Sequence, residues 1–193
     1  IMRTDDGENF NKGMDGIYPI VAGAVDGERK KRLLEHIKNP KEMWSAAGVS
    51  AVDMSASYYF DDGYWNGNVW MSHQWFIWKT MLDNGEADFA FDIAKRALDM
   101  WKDETDFTYN TYECFGIATK RGGWFHNFGG LSAPICIWAN AYFKPQTVTT
   151  GFDVWTDYQK TSDIGAEVKF KYFGNCDKYT MVVTLSDKAD YVA

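Results

Sequence analysis

Apolar positions along this chain recur first at a helical spacing and then, near the end, at every second residue. Asp26 is placed to cap a helix running to about Ile37, with Leu33, Leu34 and Ile37 on its apolar side. Asn39, Pro40 and Glu42 have the order of an N-cap, a first helical position and a capping box, so "NPKEMW" predicts a short helix. From about Asn66 to Leu82 there are two stripes. Val69, His73, Phe76, Ile77 and Met81 form one; Met71, Trp75, Trp78 and Leu82 form the other. A helix apolar on most sides is buried on most sides. The next helix, about Glu86 to Lys102, has a single stripe of Phe89, Ile93, Ala97 and Trp101. Asp88, Asp92, Lys95, Arg96 and Asp99 lie opposite, with Asp92 and Arg96 a favourable i,i+4 pair. A third helix, "LSAPICIWANAYF", takes Ser132 as its cap and Pro134 in its first turn. No Asp, Glu, Lys or Arg occurs from Gly122 to Phe143, so this helix too is expected to be buried.

After "KPQTVTTG" the period becomes two. "EVKFKYF" alternates Val168, Phe170 and Tyr172 with Glu167, Lys169 and Lys171. "YTMVVTL" puts Tyr179, Met181, Val183 and Leu185 on one face, and "GNCD" between them has hairpin chemistry. The reading is therefore mainly α: a helical segment over residues 1–145, then the start of a β-sheet module over 146–193 with too few strands to close a sandwich. Residues 1–16 and two long stretches, 46–65 and 103–130, read as loops. The two stretches carry Gly punctuation and many aromatics, and loops of that length are usually functional. Buried helix, exposed helix, functional loop, buried helix is an order that suits a toroid of helical hairpins. A ring of six hairpins needs about 12 helices, roughly 350–450 residues, and this chain supplies about five. It reads as the C-terminal segment of such a ring.

Composition narrows the function. The net charge of −7 argues against a nucleic-acid partner, which needs clustered Lys and Arg. No apolar run approaches a membrane span, and the start lacks the apolar stretch of a signal peptide. Cys114, Cys136 and Cys176 are widely spaced and fit no metal motif. The unusual feature is aromatic content, 17% with nine Trp, which suits both cores and sugar faces.

Among candidate groups, Glu113 in "YNTYECFG" is a lone carboxylate in an aromatic loop, with Tyr109, Tyr112, Phe115 and Phe128 near it in sequence. Taken by position alone, such an acid is more often a solvated one. Trp65, Trp70 and Trp124, with Asn66, Asn68, Gln74 and His126, have the mix of apolar walls and placed polar groups of a small-molecule site. Any one tryptophan alone is more often core, and Trp75, Trp78, Trp101 and Trp138 are read as core. His73, on an apolar stripe, reads as a core histidine, and His36 as a solvated one. Asp5–Asp6–Gly7 and Asp61–Asp62–Gly63 read as solvated turns.

The succession "GIYPIVAG", "YYFDDGYWNGNVW", "TYECFG" and "WFHNFGGLSAPI" resembles the C-terminal part of glycoside hydrolase family 63, over about residues 15–143. That family contains α-glucosidases and related enzymes on an (α/α)6 barrel. Trehalases and mannosylglycerate hydrolases are similar. The resemblance implies an inverting α-glycosidase acting on an oligosaccharide or small glycoside. The "YW-x-G-x-VW" element would line the sugar pocket with Trp65, Asn66, Gly67, Asn68 and Trp70, joined by Trp124 and His126. Glu113 would be the general base. The family's general acid is an aspartate in an earlier hairpin, and no position here matches it; the chain would need that N-terminal remainder, in the same or a separate polypeptide. No cofactor is implied; calcium occurs in some members, but no ligand set here supports it. Cys114 and Phe115 stand where many members carry Tyr-Asp or Tyr-Asn. A carbohydrate-binding or scaffold protein that lost the acid is the competing reading; an epimerase or lyase on the same toroid is a weaker third.

Overall fold

The computed structural model describes residues 3–4, 7–8 and 11–186; Asp5 and Asp6 of the first acidic turn lie outside them. Helix outweighs strand, 39% against 21%, which makes the chain mainly helical. A short antiparallel pair, β1 (Arg3–Thr4) and β2 (Gly7–Glu8), opens the chain where a loop is expected. It is followed by α1 (Tyr18–Val21) and α2 (Gly27–Lys38). Asp26 stands at the N-cap of α2 without a side-chain bond to it. The short helix expected at "NPKEMW" is a turn. Asn39 Oδ1 accepts the Lys41 N–H at 2.9 Å, but Glu42 turns away to His36, leaving the capping box unformed. The strands β3 (Trp44–Ser45) and β4 (Gly48–Val49) pair next. Gln74 clamps them from the neighbouring helix by giving Val49 both an acceptor, at 2.8 Å, and a donor, at 2.7 Å.

Two long helices form the centre: α3 (Met71–Asp83) and α4 (Ala87–Thr108), packed along each other across a turn in which Gly85 takes the left-handed conformation. Ile77, Trp78, Met81 and Leu82 of α3 meet Phe89, Ile93 and Ala97 of α4 in one core. Helix α3 starts at Met71, not Asn66. The helical spacing runs on through Asn66–Trp70, but there the backbone of Val69 is engaged by another strand. Helix α4 runs six residues past the expected Lys102, to Thr108, where Lys102–Asp106 extends its charged face. What remained of the second expected loop is largely a hairpin, β5 (Tyr112–Phe115) and β6 (Gly122–His126).

The third helix is split into α5 (Gly129–Ser132) and α6 (Pro134–Phe143). Ser132 does not cap α6; its hydroxyl donates to the Tyr112 carbonyl at 3.2 Å, and Ala133 is the N-cap. Ile135, Trp138 and Ala141 enter the core, but Cys136, Ile137 and Phe143 are exposed. A charge-free sequence therefore does not make α6 buried all round, because no described element covers that side. Helix α3 shows the same on a smaller scale, with Phe76 exposed.

Four strands follow: β7 (Thr147–Thr149), β8 (Val154–Thr161), β9 (Ala166–Tyr172) and β10 (Val182–Thr184). The expected hairpin across "GNCD" does not form. Strand β9 pairs with β8, and β10 pairs with β7. Asp83 ties this region to the end of α3: its carboxylate accepts the N–H of Phe152 at 2.8 Å and of Asp153 at 3.0 Å. Gly151 makes that approach possible, since a Cβ there would lie 1.8 Å from Asp83 Oδ1.

Candidate functional site

The site is built where the loop before α3 meets the β5–β6 hairpin. The loop is folded on itself by its backbone. Phe60 N–H donates to Asn66 O, Gly63 N–H to Phe60 O and Asn68 N–H to Gly63 O, all within 2.8–3.0 Å. Asn66 spends its side-chain amide on the Tyr58 carbonyl at 2.6 Å. Gly67 is needed because a Cβ there would lie 1.8 Å from the Phe60 carbonyl oxygen. Asn66 and Gly67 thus shape the loop. Val69 and Phe115 then exchange backbone hydrogen bonds of 2.8 and 2.9 Å, which lay the loop against β5.

The hairpin is held from the other side by Glu104, near the end of α4. Its buried carboxylate takes Arg121 Nε at 2.6 Å, Arg121 Nη2 at 3.2 Å and the Gly122 N–H at 2.9 Å. The Arg121 guanidinium holds the Glu104 carboxyl below the usual range. Across the ladder Tyr112 faces His126 and Cys114 faces Gly123, so one residue, Glu113, stands opposite two, Trp124 and Phe125. This is a β-bulge, a device that re-aims side chains. Trp124 takes φ +65°, unusual for a bulky residue.

Glu113 is 6% exposed. Tyr64 Oη donates to its Oε1, while Oε2 is buried with no hydrogen-bond partner among the described residues. The bond to Glu113, with burial adding to it, pushes the Tyr64 phenol up to about 12, so it remains a donor at neutral pH. The Tyr64 ring lies edge-on to three others, with centroids 4.7 Å from Trp124, 4.9 Å from Trp70 and 5.3 Å from Trp65. Its carbonyl accepts the Trp70 indole N–H at 2.9 Å. Trp65 stacks flat on Trp70, 3.9 Å apart and 4° from parallel, and is 55% exposed, whereas Trp70 is buried. The His73 ring lies 5.9 Å from Trp65, tilted 32° to it. Burial lowers the pKa of His73, and its Nδ1 has no partner among the described residues. Below the strand, Asn68 donates to Cys114 Sγ at 3.2 Å; burial pushes that thiol up to about 11.

Of the residues expected to form a site, the fold brings Trp65, Asn68, Trp70 and Trp124 around Glu113 and its neighbours. Gln74 is used on Val49, and His126 stands exposed at the end of β6. The sequence reading missed Tyr64 as a functional group, although it opens the quoted motif, and missed Glu104 with Arg121.

Among the described residues one group has the composition of a metal centre: His36, Glu42 and Asp53, with ligand atoms within 4.8 Å of one another. The protein's own groups already engage these atoms. Asp53 Oδ1 accepts the Ser55 N–H at 2.7 Å, Oδ2 lies 3.5 Å from Lys12 Nζ, and His36 Nδ1 is 2.9 Å from Glu42. Burial raises the Asp53 carboxyl, but Ser55, Lys12 and His36 together bring it below the usual value. His36, expected to be solvated, is instead half-buried and hydrogen-bonded to Glu42.

Comparison with known proteins places this arrangement in context. Residues 4–122 match the family model described as "Mannosylglycerate hydrolase MGH1-like glycoside hydrolase domain". The chain is 27% identical over 77 residues to a probable mannosyl-oligosaccharide glucosidase of Schizosaccharomyces pombe, covering 38% of this chain and 10% of that protein. Two crystal structures of the family 63 mannosylglycerate hydrolase from Thermus thermophilus share the fold. The complex with glucose superposes with a TM-score of 0.57 at 22% identity, covering 66% of this chain and 29% of that one. The complex with Tris and D-glycerate gives 0.58 at 22%, covering 67% and 30%. The chain therefore spans less than a third of the length of these relatives.

Proposed function

The chain belongs to the mannosylglycerate hydrolase MGH1-like glycoside hydrolase family, and on that premise we propose that it supplies the general base and part of the sugar pocket of an inverting α-glycosidase. The observation that carries this reading is the state of Glu113. One oxygen is held by Tyr64, and the other is buried, unpartnered among the described residues and beside a stacked tryptophan pair whose outer ring is open to solvent. A carboxylate held this way can take a proton from water while that water attacks the anomeric carbon. The glycosidic C–O bond breaks, and the leaving oxygen takes its proton from an acid on the opposite sugar face. Inverting enzymes set the two carboxyls about 6.5–9.5 Å apart to admit the water.

In this reading the exposed Trp65 and Trp124 take the apolar faces of the sugar and His126 meets a hydroxyl, while Trp70 backs Trp65 from beneath, Asn68 is held on Cys114, and Asn66 and Gly67 fix the loop. The general acid lies in helical hairpins outside this sequence, and with them α3, α4 and α6 form an (α/α)6 toroid. Residues 1–145 are its C-terminal segment and 146–193 an appended β module. The substrate is an α-glucosyl or α-mannosyl oligosaccharide or small glycoside, by likeness to the two relatives named above. Proton NMR of the first-formed sugar tests the reaction. Hydrolysis of α-glucosides, α-mannosides or mannosylglycerate by the full-length protein should release the β-anomer first; release of the α-anomer contradicts inversion. The isolated chain should hydrolyse none of them, and robust turnover by it would remove the need for an outside acid.

A further inference from the structure

We propose that Tyr64 is the positioning residue of the proposed base: it fixes which oxygen of Glu113 acts and ties that oxygen to the aromatic wall that receives the sugar. This rests on the reading of Glu113 as the base. A glutamate on a strand has three side-chain torsions, and its carboxylate can present either oxygen in a range of planes. Here one hydrogen bond removes that freedom. With Oε1 committed to the Tyr64 hydroxyl, Oε2 is the carboxylate oxygen without a hydrogen-bond partner among the described residues, and so the one left to act as the base.

Tyr64 can impose this because it is itself fixed. Its ring is braced by Trp65, Trp70 and Trp124, and its carbonyl is bound by the Trp70 indole. Its segment is locked to β5 through Val69 and Phe115. Tyrosine and glutamate are 49 residues apart in sequence, so this bond also joins the loop to the hairpin directly at the reacting group. A sugar stacked on Trp65 therefore rests on the same braced cluster that orients the base. The Trp124 ring, carried on the bulge opposite Glu113, closes the far side of the tyrosine.

The test is Tyr64→Phe in the full-length enzyme, which keeps the ring and deletes the donor. Misplacing a reacting group by about 1 Å can cost on the order of 100-fold in rate. Turnover should fall about 10- to 100-fold, with KM within about 3-fold. Unchanged kcat overturns the proposal. So does a loss of melting temperature with a rise in KM, which would mark Tyr64 as structural. Should Tyr64→Phe fail to fold, fluorinated tyrosine at position 64 keeps ring and hydroxyl while strengthening the donor. A change in kcat at constant KM supports positioning, and no response overturns it. Glu113→Gln, assayed in parallel, separates the two claims. If it stays active the base assignment fails; if it is inactive while Tyr64→Phe is normal, only the role of Tyr64 fails.

Discussion

In the segment from Tyr58 to His126 aromatic rings are tied down from several sides, whereas in the β8–β9 ribbon they project from a two-stranded ladder. Both regions are rich in aromatic residues, and both contain tryptophan. Around Glu113, Trp70 is fixed through its indole N–H, Tyr64 through its hydroxyl, and the loop that carries them through the Val69–Phe115 pair. On the ribbon, Trp155 donates its indole N–H to the Phe152 carbonyl at 3.1 Å and touches Phe173 at 5.1 Å, yet both rings are exposed, and only Val154 is buried along β8. An isolated two-stranded hairpin is marginal in water. The two regions thus differ less in whether rings are hydrogen-bonded than in what covers them: Trp70 and Glu113 are buried together, whereas the ribbon rings are open to solvent. Substitutions should therefore be felt strongly on one side of this contrast and weakly on the other.

The largest effect on stability is expected at Arg121. Arg121→Met leaves the buried Glu104 carboxylate with the Gly122 N–H but no cation, and loosens the hairpin that carries Glu113. Chemical denaturation of the full-length protein measures it, and its pH dependence gives an internal check. The Glu104 pKa is lowered in the fold, so the unfolded chain binds its proton more readily. The stabilisation is present above the unfolded value and lost as pH falls through the folded one. The gap between wild type and Arg121→Met should therefore narrow in acid. A constant gap would mean that the ion pair is not its source.

Next is Gly67→Ala. The new methyl overlaps the Phe60 carbonyl, a backbone atom that cannot swing aside. Overpacking of this kind costs about 1–3 kcal/mol, and here it should also lower turnover, because the loop that shifts carries Tyr64. Asp83→Asn removes one of two backbone acceptors and should cost about 1–2 kcal/mol. It should raise proteolysis within residues 146–186 while leaving kcat unchanged; a loss of kcat would mean that the two regions are coupled. Trp155→Ala should move stability by less than about 0.5 kcal/mol. A larger change would show that the ribbon is covered by something outside the described residues.

These contrasts also explain what could be read from the chain in advance. Helices α2, α3, α4 and α6 follow from apolar spacing because burial of one stripe is written in residue type. Their ends do not. Asn66–Trp70 keeps a helical spacing but is drawn off where Val69 bonds to Phe115, a distant partner that periodicity cannot reveal. The β5–β6 hairpin was hidden because its glycines and bulge break the alternation on which a strand is recognised. "GNCD" has turn residues but no register to pair β9 with β10. Glu113 was singled out through its motif, and its burial beside Tyr64 supports the proposal built on it. Its partner was not singled out, since nothing local to Tyr64 says that its hydroxyl will meet a carboxylate from another element.

The most direct measurement is the turnover of full-length Glu113→Gln on the substrate that the wild-type enzyme hydrolyses. Gln keeps the size of the side chain and an oxygen for the Tyr64 hydroxyl but cannot take a proton from water. General-base catalysis contributes about 100- to 10,000-fold, so kcat should fall by at least about 100-fold while KM and melting temperature stay near wild type. A kcat within a few-fold of wild type would contradict the assignment of Glu113 as the base.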